Sequence, residues 1–144
     1  MGLPLPPIAE RFERLEETLR LAGRMWAGDA SPFHGKHYRL EGPVSSPPPL
    51  SRPRPPILIG GVGERKTLRL VAQYADACNL FDIPDGGKTV RRKLDVLARH
   101  GDRLERDPAS IDKTLSSRLA PGETADQFAE RCAELATLGI DQSS

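Results

Sequence analysis

Two kinds of hydrophobic pattern alternate along the chain. The first is a stripe at the three- to four-residue spacing of an amphipathic helix, and it begins with Phe12, Leu15, Leu19, Ala22 and Trp26. The second is a short continuous apolar run, found first at residues 57–59, which is typical of a parallel strand buried on both faces. The N-terminal half of the chain therefore predicts a helix and, after a gap, a buried strand.

The same alternation continues to the end of the chain. Three further helices are predicted, beginning at Glu64, around residue 90 and after Thr124. Two further strands and the start of a third are predicted at residues 77–81, 114–119 and 140. Thr124 and Gln127 form the capping-box pattern T-x-x-Q, which marks the start of the last helix. Helices that alternate with strands imply a parallel sheet with helical crossovers, so the predicted fold class is α/β.

A Pro-rich excursion at residues 32–56 interrupts this pattern. Residues 32–41 predict a short hairpin or extended segment, with Gly35 and Lys36 supplying the turn. Residues 42–56 are too rich in proline for a helix or a central strand, because proline has no backbone N–H to donate. We interpret this stretch as a wrapping loop, so that residues 1–144 form a single domain.

Composition excludes several functional classes. The chain has 144 residues, 38% hydrophobic and 28% charged, with a formal net charge of +1, which describes a globular protein and gives no indication of a nucleic-acid or membrane partner. It has neither an apolar run of membrane-spanning length nor a secretory signal pattern, so a cytoplasmic location is expected. Cys78 and Cys132 lie apart in apolar segments, and we expect both to be reduced thiols. His34 and His37 have no further ligand set, so no metal site is predicted.

The segment with the clearest chemical signal is the glycine-rich turn after the first predicted strand. Gly60, Gly61 and Gly63 allow the backbone to approach a ligand, and the N-terminus of the following helix favours an anion such as phosphate. The alternative is that the glycines serve only a tight strand-to-helix turn. A dinucleotide fingerprint does not fit, because Lys66 stands where its third glycine is required, and no GK[ST] sequence follows for a P-loop.

Four segments in order resemble the luciferase-like monooxygenase superfamily, in the branch that uses the deazaflavin coenzyme F(420). The most specific is RPPILIGGVGERKTLRLVAQYADACNLF, and the others are ERFERLEETLRLAGRMWAGD, SPFHGKHYRLEGPVSSP and KLDVLARHGDRLERDPASI. The resemblance implies the later part of a (β/α)8 TIM barrel, with the cofactor at the carboxyl ends of the strands. It also implies that Gly60, Gly61, Gly63 and the backbone around Glu64 hold the cofactor phosphate. Val62 stands where close relatives often have glycine, and valine tolerates positive φ badly.

The function implied by this resemblance is an oxidoreductase that transfers hydride between F(420) and a small organic substrate. FMN remains an alternative cofactor, since the turn recognises a phosphate and not a ring. A catalytically inactive, truncated half-barrel is a third hypothesis, and pairing with another chain as a homo-oligomer is left open. No catalytic residue is assigned. Asn79 either faces the pocket or simply ends a strand.

Overall fold

The computed structural model describes residues 5–143, and the chain divides into two compact units, Met1–Pro55 and Pro56–Ser144. The first unit contains one helix and a two-stranded hairpin, and the second contains a parallel sheet with three helices. The prediction that residues 1–144 form a single domain stays a prediction.

The first unit follows the sequence pattern closely. Its elements are α1 (Ile8–Trp26), β1 (Phe33–His34) and β2 (Arg39–Leu40). The two strands pair in antiparallel fashion, so the short hairpin expected within residues 32–41 is confirmed. Residues 42–55 contain neither helix nor strand, as their proline content predicts.

A buried carboxylate holds the hairpin turn of the first unit against α1. The side chain of Glu17 is 7% exposed and accepts hydrogen bonds from the backbone N–H groups of Lys36, His37 and Tyr38, at 2.7, 3.0 and 3.0 Å. A β-carbon on Gly35 would collide with the Glu17 carboxylate, so glycine is required there. The turn is therefore fixed by a residue about twenty positions earlier in the chain.

The second unit is built of alternating strands and helices. Its elements are β3 (Leu58–Gly60), α2 (Thr67–Tyr74), β4 (Ala77–Phe81), α3 (Lys88–Arg103), a 3-10 turn (Pro108–Ser110), β5 (Asp112–Ser116), α4 (Ala125–Ala136) and β6 (Gln142–Ser143). The strands lie in the order β3-β4-β5-β6, and every neighbouring pair is parallel. The capping box of Thr124 and Gln127 is present at the start of α4, as predicted.

The sheet of the second unit is buried on one face. Side chains at alternate strand positions on that face are buried, namely Ile59, Cys78, Leu80 and Leu115. The intervening positions lie on the opposite face, where Leu58 is 57% and Phe81 is 53% exposed. The prediction that the first strand is buried on both faces is therefore wrong, because Ile59 is the one buried residue of β3.

Three element boundaries differ from the sequence prediction. Helix α2 begins at Thr67 and not at Glu64, because residues 64–66 form a turn in which the Leu68 N–H donates to the Gly63 carbonyl, five residues back. Strand β5 covers residues 112–116 and not 114–119, since its partner β4 ends at Phe81, which pairs with Ser116. Strand β6 starts at residue 142, two residues later than expected.

Candidate functional site

The glycine-rich turn after β3 packs tightly on Thr67, the first residue of α2. Gly61 has a φ of +129°, and its N–H donates to the Asn79 carbonyl at 3.1 Å. A β-carbon on Gly61 would lie 3.2 Å from Thr67 Cγ2, and one on Gly63 would lie 2.7 Å from Thr67 Oγ1. Thr67 is itself buried. The tight-turn interpretation therefore accounts for the glycines at positions 61 and 63.

Gly60 differs from the two glycines that follow it. It is exposed and lies outside the left-handed region, and the nearest atom to an added β-carbon would be Asn79 Cβ, at 4.0 Å. Since neither packing nor backbone conformation requires glycine here, an alanine would fit the fold. A glycine at this position instead leaves the backbone open to the close approach of a ligand.

Val62 does not adopt the positive φ that valine tolerates badly. Among the residues that the structure describes, Glu105 is the one non-glycine residue with positive φ. Val62 therefore has a backbone conformation that valine adopts without strain, and its side chain is 38% exposed. The turn keeps its shape without a glycine at this position.

The side chain of Glu64 points to α3. Its carboxylate accepts a hydrogen bond from Lys93 Nζ at 2.6 Å and lies 3.1 Å from Arg92 Nε, while its carbonyl accepts from His100 Nε2 at 2.9 Å. Lys93 is the main reason that the pKa of Glu64 is lowered. With its carboxylate engaged by these cations, Glu64 can offer a ligand its backbone N–H but not its side chain.

The uncovered face of the sheet carries a hydrogen-bonded polar row beside Gly60. Gly60, Asn79 and Thr114 are in register across β3, β4 and β5. Thr114 Oγ1 donates to the Cys78 carbonyl at 3.1 Å, so it accepts from Asn79 Nδ2 at 2.8 Å, and Ser116 Oγ donates to Asn79 Oδ1 at 3.0 Å. Asn79 is thus locked in one orientation and retains a second N–H and a second lone pair for a ligand.

Sequence reasoning identified Asn79 as a candidate but missed Thr114 and Ser116. The available signal was the two-residue alternation along β5, which places residues 114 and 116 on the same face. Using that signal required the strand boundary and the register against β4, which the sequence did not supply.

A second feature missed by sequence reasoning is an ionic network at the carboxyl ends of β4 and β5. Arg131 on α4 donates to Asp82, to Ser117 Oγ at 2.9 Å, and to both carboxylate oxygens of Glu123 at 2.8 Å. The side chains of Asp82 and Glu123 are only 4% and 12% exposed. The network ties together two loops that border a cleft of about 630 Å³.

The described residues contain no group of three His, Cys, Asp or Glu side chains arranged to hold a metal ion. His34 instead pairs with Glu41, and His37 pairs with Glu13, at 3.0 and 2.7 Å. None of the helices in the described part of the chain has both the length and the apolar character to cross a membrane.

Comparison with known proteins gives a consistent match over nearly the whole chain. The family model described as luciferase-like monooxygenase matches residues 1–141. An F(420)-dependent glucose-6-phosphate dehydrogenase from Rhodococcus erythropolis is 29% identical over 119 residues, which are 80% of this chain and 33% of the relative. The enzyme of the same name from Mycobacterium avium is 49% identical, with the same coverage. The chain thus spans about a third of the length of these curated relatives.

Solved structures show the fold. A long-chain alkane monooxygenase has a TM-score of 0.65 at 18% sequence identity, and the match covers 95% of this chain and 36% of the monooxygenase chain. A riboflavin lyase, solved with modified FMN and riboflavin, scores 0.69 at 14% identity, with coverages of 95% and 34%. An EDTA monooxygenase from Chelativorans sp. BNC1 has a TM-score of 0.63 at 18% sequence identity, and the match covers 98% of this chain and 36% of the monooxygenase chain. The predicted α/β fold, a partial luciferase-like (β/α)8 barrel, is confirmed. That the chain forms the later part of the barrel stays a prediction.

Proposed function

Since the chain belongs to the luciferase-like monooxygenase family, we propose that it serves hydride transfer between the deazaflavin coenzyme F(420) and a small organic substrate. The coenzyme supplies the hydride chemistry, and the protein binds and orients it. Support for the deazaflavin comes from relatives that are named F(420)-dependent glucose-6-phosphate dehydrogenase and that match 80% of this chain.

The observation that carries this proposal is the open backbone at Gly60. The fold does not need glycine at that position, whereas a phosphate that contacts the backbone does. Gly61 and Gly63 shape the same turn, and the N-terminus of α2 follows directly, with no side-chain cap at Lys66. We assign the phosphate end of the cofactor to Gly60, Gly61, Gly63 and the backbone N–H of Glu64, where helix N–H groups and the helix dipole favour an anion.

Asn79 extends this site across the uncovered face of the sheet. Thr114 and Ser116 hold its amide in one orientation, and Gly60 is its register partner on β3, so the fixed amide lies beside the open backbone at Gly60. An amide with both a donor and an acceptor to offer suits hydroxyl groups, such as those of the chain that links a flavin ring to its phosphate. Asn79 would therefore orient the cofactor between its phosphate and its ring.

FMN is the second candidate cofactor. The structural neighbour solved with modified FMN supports it, and the turn after β3 recognises a phosphate that FMN shares with the deazaflavin. Contacts to the ring would distinguish the two, and the residues assigned here bind the other end of the molecule.

The test is a fluorescence titration of the chain with F(420), with FMN as competitor, on the wild type and on Gly60→Val. Position 60 has room for a β-carbon, and the added bulk of valine should block the approach of a phosphate, so binding should weaken by at least about tenfold. Gly42→Val is the matched control, because Gly42 also lies in open space without positive φ. Circular dichroism would show that each variant is folded.

Saturable binding that is lost in Gly60→Val and kept in Gly42→Val supports the proposed site. Equal affinity in wild type and Gly60→Val would refute it. A folded wild-type chain that binds neither cofactor would favour the catalytically inactive half-barrel, while stronger binding of FMN than of F(420) would replace the deazaflavin by FMN.

A further inference from the structure

The exposed apolar side chains of the second unit are concentrated at the carboxyl ends of its strands. Of the six large apolar side chains exposed in the described part of this unit, four end a strand or follow one within three residues, namely Val62, Phe81, Ile83 and Leu119. In a (β/α)8 barrel this edge of the sheet forms the mouth, where ligands bind. The mouth therefore combines the glycine turn after β3 with exposed apolar side chains.

Phe81 is the member of this set that lies beside Asn79 on the uncovered face of the sheet. It is the last residue of β4, two positions after Asn79, so both side chains are on the same face. Phe81 is 53% exposed, and its register partner on β5 is Ser116. Its α-carbon lies about 8 Å from that of Gly60 by the geometry of adjacent strands. An exposed aromatic ring thus borders the proposed cofactor site on its mouth side.

The backbone that carries Phe81 is fixed on its carboxyl side. The N–H of the next residue, Asp82, donates to the Ser116 carbonyl at 3.0 Å. The Asp82 carboxylate accepts hydrogen bonds from Ser117 Oγ at 2.7 Å and from Arg131. An aromatic side chain on a fixed backbone loses little conformational freedom when a ligand packs on it, so Phe81 is preorganised for such a contact.

The uncovered face has no cation to offer a ligand. Among the described residues of β3, β4 and β5, the side chains on this face are apolar, hydroxyl or amide groups, apart from Asp112 at the amino end of β5. Arg131, which reaches the loops after β4 and β5, is already bound to Asp82 and Glu123. An anionic group packed on Phe81 would lose hydration without gaining a cation, so an uncharged group suits this position.

We propose that Phe81 is a specificity-determining residue that packs on an uncharged aromatic ring of the organic substrate. The proposal rests on the proposed function, in which Gly60 and Asn79 hold the phosphate and the linking chain of the cofactor. Phe81 is the next residue from Asn79 toward the mouth, where a substrate enters the barrel. Aromatic rings gain from edge-to-face or offset packing in addition to the area they bury, which favours an aromatic over an aliphatic substrate.

A fluorescence anisotropy titration of the cofactor-free chain with 2-naphthalenemethanol, an uncharged aromatic probe, tests the proposal. We expect saturable binding to the wild type, a loss of at least about fivefold in affinity for Phe81→Ala, and little change for Phe81→Tyr, which keeps the ring. The control is Leu58→Ala, because Leu58 is exposed to a similar extent on the same face but at the amino end of β3. The anion 2-naphthoate should bind the wild type more weakly. Melting curves would show that each variant is folded.

The proposal is overturned if the folded wild type does not bind the probe saturably, if Leu58→Ala loses as much affinity as Phe81→Ala, or if 2-naphthoate binds as tightly as the alcohol. A loss of F(420) affinity in Phe81→Ala would also overturn it, because Phe81 would then contact the cofactor. A wild type that binds the probe but not F(420) supports the aromatic site and refutes the proposed cofactor. A wild type that binds F(420) but not the probe refutes the role of Phe81 alone.

Discussion

Gly63 and Thr67 approach so closely that a β-carbon on Gly63 would lie 2.7 Å from the threonine hydroxyl oxygen. Real β-carbons do not tolerate such a contact, and the threonine is buried, so it has little room to move away. The glycine thus serves the packing of the turn on α2. Gly60, three residues earlier, has no such neighbour, and this difference separates the structural role of the turn from its proposed role in binding.

Gly63→Ala should lower the free energy of unfolding by about 1–3 kcal/mol, because overpacking forces the turn away from α2. Urea denaturation followed by circular dichroism would measure the change. The loss should shrink in the double variant Gly63→Ala/Thr67→Ala, which removes the colliding hydroxyl, relative to Thr67→Ala alone. Gly60→Ala serves as the control, and a cost there equal to that of Gly63→Ala would contradict the assignment of separate roles.

Glu17→Gln should destabilise the hairpin of the first unit. It should also make the stability of that hairpin less dependent on pH in the acidic range. Burial by itself raises the pKa of Glu17, but hydrogen bonds from the backbone of His37, Lys36 and Tyr38 outweigh it, so the pKa is lowered from 4.5. A depressed pKa means that the stabilisation is present above about pH 4.5 and is lost as the pH falls through the lowered value.

Amide hydrogen exchange at residues 36–38, measured between pH 3 and pH 7, would report on this hairpin. Protection should fall on acidification in the wild type and should be low throughout in Glu17→Gln. Glu16→Gln provides a control one residue away on the same helix. Unchanged protection in Glu17→Gln would mean that the carboxylate does not hold the turn.

Arg131→Met should destabilise the second unit by about 1–3 kcal/mol, because it leaves two largely shielded carboxylates without a cation. Those carboxylates belong to Asp82 and Glu123, which are 4% and 12% exposed. The unfolding free energy in urea is the measurement, and Arg118→Met, at an exposed arginine, is the control. Adding Asp82→Asn and Glu123→Gln to Arg131→Met should recover part of the loss, and the prediction fails if it does not.

Cys78 should be unreactive toward thiol reagents in the folded chain. Its side chain is fully buried on the helix-covered face of the sheet, and burial raises the pKa of its thiol to about 11. The thiolate is the reacting species, so little of it exists near neutral pH. Titration with an aromatic disulfide at pH 8 should detect Cys132 first, and Cys78 only after denaturation. In Cys132→Ser, a fast-reacting thiol in the native chain would refute this.

The hydrophobic periodicity of the chain was sufficient to predict the order of its elements. Stripes at helical spacing predicted every helix of the second unit, and the capping box located the start of α4, because both signals depend on neighbours within a few residues. The sequence also predicted the glycine turn and the family resemblance, since the residues that carry both signals lie in one continuous segment.

Tertiary structure decided which side chains meet. The register between β4 and β5 brings Asn79 to Thr114 and Ser116, which lie 35 and 37 positions later in the chain. The packing of α4 brings Arg131 to Asp82, 49 positions earlier. The exposure of Leu58 depended on what covers each face of the sheet, which its own apolar neighbours do not reveal. Local periodicity determines where a helix or strand forms, whereas pairing and packing between distant segments determine what each residue contacts.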